Sequence, residues 1–184
     1  DLFVIASPAQ TTGKIHVQAV VQNAASQAER GYVEFTVADA RSGATTAALH
    51  LPREFPTGTS QIEADLVIDS PHLWDLNDPY LYRVTARVAV AGANSFDERS
   101  TRCGFRDFRF ADGYFRLNGR RIYLRSSHTC NHYPIGIQFA QDPDLLRRDM
   151  INMKVMGFNM IRFIWGGATT VQLDLCDEIG LLVY

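Results

Sequence analysis

With 184 residues, 46% of them hydrophobic and 21% charged, the chain has room for one large domain, or one small domain plus part of another. A net charge of -2 gives no basic footprint for nucleic acid and no polybasic membrane patch, and no apolar run reaches the roughly 18 residues that span a bilayer. The cysteines Cys103, Cys130 and Cys176 are far apart and odd in number, so no disulfide framework is implied.

The opening Asp1-Leu2-Phe3-Val4-Ile5 lacks the charged n-region and cleavage pattern of a signal peptide and reads as a chain entered partway. Up to about Arg106 the sequence alternates. Lys14-Ile15-His16-Val17-Gln18-Ala19 puts Ile15, Val17 and Ala19 on one face, as a half-buried strand does. Tyr32 to Val37 repeats the pattern, with Val33, Phe35 and Val37 inward. Further strands are predicted over 45–51, 61–68, 81–90 and 95–104, with turn residues such as Ser42-Gly43 and Ala91-Gly92 between them. Several short strands in succession predict an antiparallel sandwich of immunoglobulin type over residues 1–106. No Cys…Trp…Cys spacing is present, so an antibody-like domain is excluded.

From about Asp107 the period changes. Tyr114-Phe115-Arg116-Leu117, Asn118-Gly119 and Ile122-Tyr123-Leu124 predict a hairpin closed by a type I′ turn. Asp142-Pro143-Asp144 then opens a helix, with Asp142 as cap and Pro143 at the first helical position. Leu146, Met150 and Met153 form its apolar stripe, each side chain contributing roughly 1.5–3 kcal/mol if fully buried, and Gly157 is its stop. A strand over 158–164, a helix over 170–179 ended by Gly180, and an apolar strand from Leu181 to Tyr184 complete a β-α-β pattern. Strand, helix, strand, helix, strand predicts the opening of a parallel α/β sheet or barrel. The last strand reads as cut off, which marks the chain as a piece of a larger enzyme.

Several stretches carry a resemblance. Ser70-Pro71-His72-Leu73-Trp74-Asp75-Leu76-Asn77-Asp78-Pro79-Tyr80-Leu81-Tyr82 resembles the Pro-x-Leu-Trp…Pro-Tyr-Leu-Tyr stretch late in the sandwich domain of glycoside hydrolase family 2. Gly104-Phe105-Arg106 is similar to that family's sandwich-to-barrel junction. Phe115-Arg116-Leu117-Asn118-Gly119 resembles the hairpin that opens its catalytic barrel, and Asn159-Met160-Ile161-Arg162 and Asp177-Glu178-Ile179-Gly180-Leu181-Leu182-Val183 complete the likeness. It covers residues from about Gln61 to Tyr184.

The resemblance implies an immunoglobulin-like β-sandwich over 1–106, with Trp74 and Tyr82 in its core. It implies that residues 107–184 are the N-terminal part of a (β/α)8 (TIM-type) barrel, truncated in the third strand. It also implies a parent enzyme that is a retaining, exo-acting β-glycosidase of the β-galactosidase, β-glucuronidase and β-mannosidase group. Two glutamates at the ends of the fourth and seventh barrel strands would do the chemistry, about 5–5.5 Å apart. The glutamates present are Glu29, Glu34, Glu54, Glu63, Glu98 and Glu178, and none is placed to form that pair. No catalytic residue is therefore assigned, and the chain alone is expected to be inactive.

The expected substrate-binding residues are Arg162, Trp165, His128 and Asn131. Arg162 sits where barrel strands present functional side chains, or else is a structural arginine inside the barrel. Trp165 offers a face for a sugar ring, or plugs the barrel mouth. The segment Phe163-Ile164-Trp165-Gly166-Gly167 resembles β-mannosidase-like members, whereas His128 and Cys130 stand where the family often has asparagine and histidine. His128, Cys130 and His132 alternate as residues on one strand face do, but no fourth ligand accompanies them, so no metal is expected. No cofactor is implied.

The expected partner is a glycoside or oligosaccharide, with no nucleic acid and no membrane, and the second half is expected to expose apolar surface and self-associate. The alternative, from a different class, is a non-catalytic carbohydrate-binding or scaffolding sandwich, which a row of exposed aromatics on one sandwich face would support. No such row is evident in the sequence.

Overall fold

The computed structural model describes residues 1–8, 11–93, 95–129, 133, 142–164 and 167–184. They cluster into two compact units. The first comprises Asp1–His72 and Leu81–Phe105, the second Leu73–Tyr80 and Arg106–Tyr184.

The first unit is a sandwich of two antiparallel sheets. One has the order β1-β2-β5, from β1 (Leu2–Pro8), β2 (Thr12–Asn23) and β5 (Gly58–Asp69). The other has the order β4-β3-β6-β7, from β3 (Glu29–Asp39), β4 (Thr45–Phe55), β6 (Tyr82–Val90) and β7 (Phe96–Cys103). The alternation seen in the sequence sets the register. Ile15, Val17 and Ala19 from one sheet, and Val33, Phe35, Val37 and Val84 from the other, are all buried. Their neighbours one residue along face water. Tyr82 is buried in this core, its ring meeting Phe105 edge-on at 5.3 Å. Strand β1 is an addition to the sequence expectation: it pairs with β2 from Leu2↔Ala19 to Pro8↔Gly13.

The second unit begins with a three-stranded antiparallel sheet, β8 (Phe108–Ala111), β9 (Tyr114–Leu117) and β10 (Arg120–Ile122). Asn118 at φ 51° and Gly119 at φ 79° make the expected I′ turn. Asp112 at φ 53° and Gly113 at φ 78° make a second turn of the same hand, which adds β8. A parallel sheet follows, in the order β11 (Ser126–Thr129), β12 (Met160–Phe163), β13 (Leu182–Val183). Helices α1 (Pro143–Val155) and α2 (Thr170–Ile179) make the two crossovers.

Both helices start as the sequence predicts. Asp142 accepts the Asp144 N–H at 2.9 Å, and Thr169 with Gln172 forms a capping box. Leu146, Met150, Leu175 and Cys176 pack with Ile161, Phe163 and Leu181 into one apolar cluster on the helix side of the sheet.

Trp74 is a correction. It is 1% exposed, so it is core, but it is core of the second unit and not of the sandwich. Its indole N–H donates to the Asp177 carbonyl at 2.8 Å, and the Asn118 amide donates to the Trp74 carbonyl at 3.0 Å. A buried tryptophan needs such an acceptor, and here the end of α2 supplies it.

Candidate functional site

The parallel strands place side chains by the rule that successive residues point to opposite faces. On β12, Ile161 and Phe163 are committed to the helix-side cluster, which leaves Arg162 on the helix-free face. His128 of β11 is the register partner of Arg162. Beyond β13, the Tyr184 N–H donates to the Ile161 carbonyl at 3.0 Å, which extends the ladder by one residue. The Arg162 guanidinium carbon lies 5.2 Å from the Tyr184 ring centre. His128, Arg162 and Tyr184 therefore form one exposed row across the C-terminal ends of three parallel strands. A fork of donors, an imidazole and an aromatic face together suit a hydroxyl-rich or carboxylate-bearing ligand.

Of the residues expected from the sequence, His128 and Arg162 are neighbours. Asn131 and Trp165 lie outside the described residues, as do Cys130 and His132. Tyr184 was absent from the expectation. Its signal was the alternation Leu182/Tyr184 in step with Met160/Arg162. Among the described residues no group of three or more His, Cys, Asp or Glu side chains could hold a metal ion.

The strands are held in step by a residue with no chemical role of its own. Asn159 is 7% exposed; its side-chain oxygen accepts the Arg125 N–H at 2.8 Å and its amide donates to the Tyr123 carbonyl at 2.9 Å. Its backbone adds bonds to Arg125 and Leu182, so one residue ties all three strands at their N-terminal ends.

A second anchor is Lys154, whose ammonium donates to the carbonyls of Leu76 and Gly180, the latter at 2.6 Å. Burial holds its pKa below the usual lysine value. A cavity of about 320 Å³ lies beside α1, walled by Leu145, Leu146, Met150, Met153 and Ile161. Thr129, Tyr133 and Asp149 add polar groups to its wall.

Comparisons with known proteins follow the same lines. Residues 1–106 match the family model of glycosyl hydrolases family 2. A β-galactosidase of Vibrio cholerae serotype O1 is 30% identical over 175 residues, covering 91% of this chain and 17% of that protein. A β-galactosidase of Erwinia tasmaniensis is 30% identical over 118 residues, covering 64% of this chain and 11% of its own length. The crystal structure of Parabacteroides merdae β-glucuronidase superposes with a TM-score of 0.86 at 30% identity, covering 99% of this chain and 23% of that one. The chain thus spans less than a fifth of the length of these curated relatives.

Proposed function

The chain belongs to glycosyl hydrolases family 2, and from that premise we propose that it is part of a longer retaining, exo-acting β-glycoside hydrolase. Residues 1–106, apart from the 73–80 segment that packs with the second unit, are the immunoglobulin-like sandwich in this reading, and 107–184 are the opening of a (β/α)8 barrel. The observation that carries it is the row His128, Arg162, Tyr184 at the C-terminal ends of parallel strands, on the face the helices leave free. That is where barrel enzymes gather the residues that meet substrate. Arg162 and His128 are the substrate-binding residues of this reading, together with Trp165 and Asn131, and Tyr184 joins them. The ligand is a terminal β-linked sugar.

The acid/base and the nucleophile lie elsewhere in the longer protein. Retention needs two carboxyls about 5–5.5 Å apart across the scissile bond. Glu178 is the second unit's one glutamate in sequence, and its carboxylate is paired with Arg147 at 2.8 Å. The other five belong to strands of the sandwich unit. Without that pair neither proton transfer to the leaving group nor the glycosyl-enzyme can form.

Two assays test the reading. The 184-residue chain is expected to give no saturable turnover of aryl β-galactosides or β-glucuronides. In the full parent protein, Arg162→Ala is expected to lower kcat/KM roughly a hundredfold while leaving the melting temperature in place. Turnover by the chain alone, or full activity of the parent variant, would sink the proposal.

A further inference from the structure

The outer face of the sheet β4-β3-β6-β7 carries two aromatic platforms in register. Tyr32 pairs with Ala89, and Ala89 with Phe96, so the two rings stand on β3 and β7 with one small side chain between them. Two inter-strand spacings put their Cα atoms about 9.5 Å apart. Phe96 is 54% exposed, and the Arg87 guanidinium carbon lies 3.5 Å from its ring centre. The cation lies against one side of the ring. The Arg87 Nε is buried there without a hydrogen-bond partner among the described residues. The Tyr32 ring is half-buried and lies against His50, with centroids 4.5 Å apart and planes tilted by 35°.

The neighbouring row decides what the rings are for. His50, Glu34, Arg87 and Glu98 lie side by side across the four strands. Glu34 and His50 approach within 3.8 Å. Carboxylates alternate with nitrogen donors, so the row offers directed donors and acceptors without a field of one sign. A polyanion would meet two carboxylates there. A single exposed phenylalanine needs no explanation, but two backed rings in register beside a compensated polar row do.

We propose that this face docks a neutral polysaccharide, with one sugar stacked on Tyr32, one on Phe96, and hydroxyls between them bonded to Glu34, Arg87 and Glu98. The choice of a glycan as occupant rests on the glycosidase reading above; the geometry of the platforms does not.

Affinity electrophoresis of the 184-residue chain in native gels tests it without reading turnover. The gels contain galactomannan, xyloglucan or hydroxyethylcellulose as neutral polymers, with polygalacturonate and single-stranded DNA as charged ones. At least one neutral polymer is expected to retard the chain. Phe96→Ala and Tyr32→Ala should each weaken that retardation roughly three- to tenfold. Phe96→Trp should preserve or strengthen it, and Phe3→Ala on the opposite sheet should leave it unchanged. If Tyr32→Ala unfolds, the two Phe96 variants decide. Absence of retardation by every neutral polymer, retardation by a charged polymer alone, or indifference to Phe96→Ala would each overturn the proposal. Because no hydrolysis is read, those outcomes leave the glycosidase reading standing, and retardation by a neutral polymer would stand as binding whether or not the parent is active.

Discussion

Asn159 shows how much one buried amide can hold. Its side chain satisfies a backbone donor at Arg125 and a backbone acceptor at Tyr123. Removing it strands both at the start of the parallel sheet. Each orphan costs ~1–3 kcal/mol, so Asn159→Ala should lower the unfolding free energy of the second unit by ~2–6 kcal/mol in urea titrations; a loss below ~1 kcal/mol would mean that water replaces the amide.

Cys176 makes a pH-dependent prediction of known sign. Burial first, and the Asp177 charge second, push its thiol from 9.0 up to about 12. Above pH 9 the unfolded chain loses this proton while the folded chain keeps it, so the folded state binds more protons and stability falls as pH rises. That contribution is complete below pH 9 and is withdrawn as pH climbs toward 12. The stability gap between wild type and Cys176→Ala should therefore narrow from pH 8.5 to 10.5. A gap that stays constant would place the thiol near its ordinary value.

At the scale of elements, Gly180 separates conformational strain from contact. It ends α2 at φ 82°, and an added Cβ would meet the Leu76 carbonyl oxygen at 2.2 Å. Gly43 has φ 75° but open space around it. Both glycines would be strained as alanine, by ~1–2 kcal/mol, but only Gly180→Ala must also displace the backbone that Lys154 and Trp74 anchor. Gly180→Ala should cost at least ~2 kcal/mol more than Gly43→Ala in matched melts; equal losses would mean that the loop at Leu76 yields freely.

The contrast also marks what the sequence makes legible. Helix caps, the Asn118-Gly119 turn and the sandwich strands from β2 onward are local signals, and each stands where the residues put it, whereas β1 was not read. Strand β8 was missed because four residues are too few to separate alternation from a loop, although Asp112-Gly113 is as strong a turn signal as its neighbour. The placement of 73–80 was unreadable for another reason. Its partners, Asn118, Lys154 and Asp177, lie dozens of residues away, and no local period encodes such contacts. Arg162 and His128 were legible as a motif. Their adjacency, and Tyr184 beside them, required the parallel register.

At the scale of the whole molecule both units leave apolar side chains exposed, and the second also has open parallel strand edges among the described residues. The sandwich buries its two inner faces against each other. In the second unit Ile151, Val155, Met156, Val171 and Leu173 are all exposed, Val155 at 81%. In the order β11-β12-β13 the two outer strands each have one partner among the described residues. Open parallel edges beside apolar helix faces are the arrangement that sheets in solution avoid, and scattered single exposures would not add up to it. The second unit should therefore bind a hydrophobic dye, and the chain should elute from size exclusion at a volume that shifts with protein concentration. Lysines at Val155 and Met156, both exposed on α1 or just after it, should reduce both effects together. A wild-type chain that runs as a single monomer at every concentration and leaves the dye dark would show that these faces are covered within the chain itself.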